Sequence, residues 1–189
     1  DAHADHRHHE FLRDSARFAD GENRMALDVI SYDLRAKFDW ENSRLFAVVD
    51  IRLARPAGDK IELDSNVSRV VSVSLLGGAP LSHSVNPKEG TLTISLSGIA
   101  LEPELSIRIQ YEVEANSARL RLRASALSAV LPRSGDPVQS RVVSTFSEPE
   151  GASYWMPCHD VPSDRARFST EFVMSAGERL ISNGDLELD

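Results

Sequence analysis

The run Leu105-Ser106-Ile107-Arg108-Ile109-Gln110-Tyr111-Glu112-Val113-Glu114 alternates apolar and polar side chains without a break. Successive side chains of an extended chain point to opposite faces. The run can therefore bury Leu105, Ile107, Ile109, Tyr111 and Val113 and wet the other five. The same period appears on both sides of it. Tyr32, Leu34, Ala36 and Phe38 alternate with Asp33, Arg35 and Lys37, and Leu45, Ala47, Val49, Ile51 and Leu53 share one face of the next run. Residues 67–75 form another, and Leu92, Ile94 and Leu96 are separated by Thr or Ser. Turn chemistry separates the runs: Pro56-Ala57-Gly58-Asp59, Gly77-Gly78-Ala79-Pro80, Asn86-Pro87-Lys88-Glu89-Gly90 and Asn183-Gly184. This pattern predicts an all-β domain, an antiparallel sandwich or a large curved sheet. Residues 118–131 fit either period: Leu120 and Leu122 alternate, yet Leu120, Arg123, Leu127 and Leu131 also fit a helix.

A chain of 189 residues is long enough for one such domain. The loop at residues 133–139 is not a boundary, because strand patterning resumes at Arg141. Residues 1–24 differ from the rest. His3, His6, His8 and His9 stand in a polar run, and Phe11, Leu12, Ser15, Ala16 and Ala19 follow at helical spacing with Gly21 placed to end the turn. We read 1–24 as a polar tail with a short helix and 25–189 as the β-domain. The chain opens on Asp1 without an initiator Met, which implies that residues upstream were removed. No stretch approaches the ~20 apolar residues of a membrane span. A formal charge of -8, from 29 acidic and 21 basic residues, argues against a nucleic-acid surface. Arg119, Arg121 and Arg123 read as the wet face of a strand. Cys158 is the single cysteine, so no internal disulfide can form. Compartment stays open between periplasm or secretion and cytoplasm.

No complete active site is legible. H-E-x-x-H, paired cysteines, G-x-S-x-G and a phosphate-cradling glycine loop are all absent from the sequence. His6, His8 and His9 are close enough to converge on a metal, but a chain end seldom supplies the rigid support a closed site needs, and the tail reads as solvated. Cys158-His159-Asp160 suggests a nucleophile beside its base. Sequence neighbours in extended chain face opposite ways, however, so Cys158 reads as a small buried apolar residue instead.

One stretch is more specific. Residues 145–168 contain Thr145, Glu148, Pro149, Pro157, Cys158, Asp160, Pro162, Arg165, Ala166 and Phe168 in ungapped order. This block resembles the T-Q-x-E-P, aromatic-Pro-Cys-x-D-x-P, basic-small-aromatic series of the zinc aminopeptidases of the aminopeptidase N type, a family that includes the leukotriene hydrolases. Downstream, Ile181-Ser182-Asn183-Gly184 resembles the family's S-N-G hairpin. Upstream, Tyr32-Asp33-Leu34 and the strand after it resemble its opening segment, so the resemblance covers about residues 31–189.

The resemblance implies a large saddle-shaped antiparallel β-domain at the amino-terminal side of the enzyme. Such a domain packs on a zinc-bearing catalytic domain of the same polypeptide, which is absent from this chain. The parent would remove amino-terminal residues from peptides by zinc-assisted hydrolysis; the present chain would hold no cofactor and no catalytic residue. It implies that Glu148 is a substrate-binding residue, because an ammonium removed from water needs a nearby carboxylate. Phe146, the other substrate-side residue, stands where the family has Gln and removes one polar partner from the amine region. Two alternatives remain open on the sequence: a non-catalytic family member acting as a scaffold or binding module, for which Phe146 argues, and an unrelated adhesion or carbohydrate-binding sandwich, which the 6% aromatic content disfavours.

Overall fold

The structure is a computed structural model and describes residues 27–54, 58–100, 102–115, 127–130, 141–147, 151–161 and 164–186. The tail and helix expected at 1–24, the four early histidines, most of the ambiguous 118–131 segment and the loop at 133–139 lie outside the described residues.

Among the described residues ten strands follow in order: β1 Val29–Asp39, β2 Arg44–Ala54, β3 Lys60–Asp64, β4 Arg69–Leu75, β5 His83–Asn86, β6 Thr91–Ser95, β7 Glu104–Glu114, β8 Leu127–Val130, β9 Val142–Thr145 and β10 Arg167–Val173. They make a five-stranded sheet in the order β10-β1-β2-β7-β4, a three-stranded sheet β3-β6-β5 and a two-stranded pair β8-β9. The all-β expectation holds. β7 pairs with β2 along its whole length, from Arg44 opposite Glu114 to Ala54 opposite Glu104. This register stacks Leu45, Ala47, Val49, Ile51 and Leu53 against Val113, Tyr111, Ile109, Ile107 and Leu105, and all of them are buried. Ile61, Leu63, Leu92 and Ile94 from the second sheet, and Leu96 just after β6, join the same buried cluster. Burial of each such side chain contributes about 1.5–3 kcal/mol against the entropy of ordering the chain.

The outer face of the large sheet is wet and charged. Arg108 grips Asp50 with two hydrogen bonds, 2.6 and 2.7 Å long. Arg44 reaches Glu112 at 3.0 Å and Glu114 at 2.7 Å, and Arg52 pairs with Glu104. Solvent-facing pairs of this kind, from half-buried to exposed, fix cross-strand register more than they add stability.

Three features depart from the plain alternation. β10 joins the edge of the large sheet parallel to β1, with Tyr32 opposite Phe168, so the sheet is mixed rather than purely antiparallel. A register shift between Val70 and Ser72 leaves Val73 as the buried residue of β4. Asn183-Gly184 forms a bend with Gly184 at φ 112°, and residues 187–189, where a second arm would run, lie outside the described residues.

Candidate functional site

The block singled out by the resemblance runs from β9 through one 3-10 turn at Ala152–Tyr154 to β10 at the edge of the large sheet. β9 pairs with β8 from Leu127 opposite Thr145 to Val130 opposite Val142. Leu127 and Ala129 are buried, whereas Val130, Val142 and Phe146 are more than half exposed. Phe146 and Ser147 follow directly. Glu148 lies outside the described residues.

Contacts hold the described residues on both sides of 148–150. The Gly151 N–H donates to the Ser147 carbonyl at 2.9 Å, and the Trp155 indole N–H donates to Ser147 Oγ at 3.0 Å. Gly151 is required for steric reasons: a Cβ there would stand 2.7 Å from the Phe146 carbonyl oxygen and 2.9 Å from Ser147 Cα. Both obstacles are backbone, which cannot rotate away.

The floor beneath the turn is polar and buried. Cys158 exchanges both backbone hydrogen bonds with Asp64, at 2.8 and 3.0 Å. The Asn66 N–H donates to the Ser153 carbonyl at 2.8 Å. The Asp64 carboxylate accepts the Asp160 N–H at 3.1 Å, and the Asp160 carboxylate accepts the Ser153 N–H at 3.2 Å. Asp160 thus satisfies a local backbone donor. The His159 N–H donates to Tyr32 Oη at 3.0 Å, and its imidazole Nδ1 contacts Asp164 Oδ2 at 2.8 Å. The same Asp164 oxygen accepts the Val29 N–H at 3.3 Å, tying the loop to the start of β1.

These contacts separate the neighbours in Cys158-His159-Asp160. His159 pairs with Asp164, five residues on, and not with the adjacent thiol; the spacing alone gave no signal for that partner. Burial pushes the Cys158 thiol well above its ordinary range, and the charges of Asp160 and Asp64 push the same way. Burial also raises the Tyr32 phenol. A thiol so placed is not a nucleophile near neutral pH. In the folded protein Cys158 is expected to resist a thiol-labelling reagent for hours and to react within minutes in denaturant. Prompt native labelling would contradict the packing described.

Among the described residues no group of three or more His, Cys, Asp or Glu side chains could hold a metal ion. No helix among the described residues is long and apolar enough to cross a membrane.

Comparison with known proteins matches the profile of the Peptidase M1 N-terminal domain to residues 29–188. The fold is similar to that of yeast LTA4 hydrolase in complex with bestatin, at TM-score 0.64 and 19% identity, over 79% of this chain and 23% of that one. A native leukotriene A4 hydrolase from Saccharomyces cerevisiae gives TM-score 0.62 at 18% identity over 79% and 24%. An M1 zinc metallopeptidase mutant from Deinococcus radiodurans, bound to a Tyr-Ser-Ala substrate, gives 0.56 at 20% identity over 78% and 32%. The chain thus spans about a quarter to a third of these proteins. No curated protein sequence matches it.

Proposed function

The chain belongs to the Peptidase M1 N-terminal domain family, and on that premise we propose that it is the substrate-amine-anchoring β-domain of a zinc aminopeptidase. Membership removes the alternative of an unrelated adhesion or carbohydrate-binding sandwich. In this reading residues 25–189 form one domain behind a polar tail at 1–24. The domain packs on a catalytic domain of the same polypeptide, and that catalytic domain carries the zinc. Glu148 holds the free α-amino group of a peptide substrate, with Phe146 beside it.

The observation that supports this reading most is the hold on Ser147 and Gly151, the described residues that flank Glu148 in sequence. Ser147 accepts hydrogen bonds from both Gly151 and Trp155, so the chain is fixed on either side of residues 148–150. A carboxylate that must meet an ammonium to within a few tenths of an ångström needs such support, since a displacement of about 1 Å can cost on the order of a hundredfold in rate. The apolar surface of Val130 and Val142 on the β8–β9 pair suits burial against another domain.

A second reading rests on Phe146, which is 54% exposed and apolar where the family's pattern has a polar Gln: the parent is a scaffold that cleaves nothing. Zinc analysis and aminoacyl-anilide hydrolysis by the full-length protein separate the two. The enzyme reading expects about one zinc per chain and cleavage abolished by a chelator. Neither zinc nor cleavage would leave the scaffold.

A further inference from the structure

β9 has four residues, and its only strand partner among the described residues is the equally short β8, so the pair lies outside both larger sheets. A two-stranded hairpin is marginal in water unless something braces it. Ser147 braces the far end of β9. At the near end Arg141, the residue before the strand, sits in a three-residue cluster. Its guanidinium lies over the Trp40 ring, 4.6 Å from the centroid, and donates through Nη2 to Glu178 Oε1 at 2.7 Å. The same oxygen accepts the Trp40 indole N–H at 2.7 Å, while Oε2 accepts the Ser175 N–H at 2.7 Å. Phe38 meets Trp40 edge-on at 4.8 Å. Trp40 belongs to the β1–β2 turn and Glu178 to the segment after β10, so the cluster joins three parts of the chain far apart in sequence. Arg141 and Glu178 are each about three-quarters covered, which strengthens a charge-assisted contact relative to a fully wet one.

We propose that Trp40, Arg141 and Glu178 form a clamp that sets the position of β9, and hence of the Phe146–Ser147 step that leads to Glu148. They are positioning residues. Their functional consequence rests on the amine-anchoring reading, whereas their hold on β9 does not.

Hydrogen exchange and peptide kinetics on the full-length protein test both parts. Glu178→Ala removes all three acceptances and Trp40→Phe removes one donor but keeps a ring under Arg141. In both variants the β9 amides are expected to exchange about tenfold faster or more, with β7 amides unchanged. KM for free-amine peptides should rise about five- to tenfold with kcat within about twofold, and Glu178→Gln, which keeps an acceptor oxygen, should recover part of the loss. If β9 exchange stays at the wild-type rate, or rises only in step with β7, the clamp is overturned. If β9 loosens while KM stays unchanged, the clamp stands and the amine-anchoring reading fails. Should Glu178→Ala not fold, Trp40→Phe carries the same comparison.

Discussion

Replacing Glu148 by alanine in the full-length protein is expected to lower kcat/KM for peptides with a free amino terminus by about 30- to 1000-fold. Loss of a charge-assisted contact to a desolvated ammonium costs about 2–4 kcal/mol, and each 1.4 kcal/mol is a factor of ten. Glu148→Gln should cost less, because the amide oxygen still accepts a hydrogen bond although the charge is gone. Amino-blocked peptides should be poor substrates of the wild type, and the alanine change should barely alter their rates, since they present no ammonium to hold. Thermal stability should shift little, as a side chain placed for a ligand contributes few core contacts. An Ala variant within about twofold of wild type on free-amine peptides would reduce Glu148 to an exposed loop carboxylate.

Gly151→Ala is expected to damage the same step from outside the contact itself. The added methyl would stand 2.7 Å from the Phe146 carbonyl oxygen and 2.9 Å from Ser147 Cα, both closer than real Cβ contacts allow. Gly151 and Ser147 must move apart, and with that goes the hydrogen bond between them at 2.9 Å. Overpacking of this kind commonly costs about 1–3 kcal/mol of stability. A displacement of about 1 Å in a positioning segment can cost on the order of a hundredfold in kcat/KM. The loss should fall on free-amine peptides, as for Glu148→Ala, and a double variant should be little worse than Glu148→Ala alone because both changes remove one interaction. Full additivity would show that Gly151 acts elsewhere.

The long strands were legible because each buries one face and wets the other over many residues. β7 and β2 are the clearest, and their alternation set the register as well as the strand. β5 was not legible: His83–Asn86 is exposed throughout, so no apolar period marks it, and its pairing with β6 comes from backbone hydrogen bonds. β3 is five residues long, too short for Ile61 and Leu63 to stand out as a period. The parallel pairing of β10 with β1 could not be read from local pattern either, since it depends on where the 151–166 segment crosses. Cys158 read correctly as a buried residue. The His159–Asp164 contact and the Trp40–Arg141–Glu178 cluster went unread, because both are set by tertiary contacts that no spacing rule encodes. The Asn183-Gly184 bend was legible because bend chemistry is local.

The central claim is that this domain reaches the substrate's amino terminus through Glu148. A crystal structure of the full-length protein with a bound, uncleaved free-amine peptide tests it most directly. The account predicts the peptide's α-amino nitrogen within about 3 Å of a Glu148 carboxylate oxygen, the range of a charge-assisted hydrogen bond. An amino nitrogen held by other groups, with Glu148 turned to solvent, would contradict it.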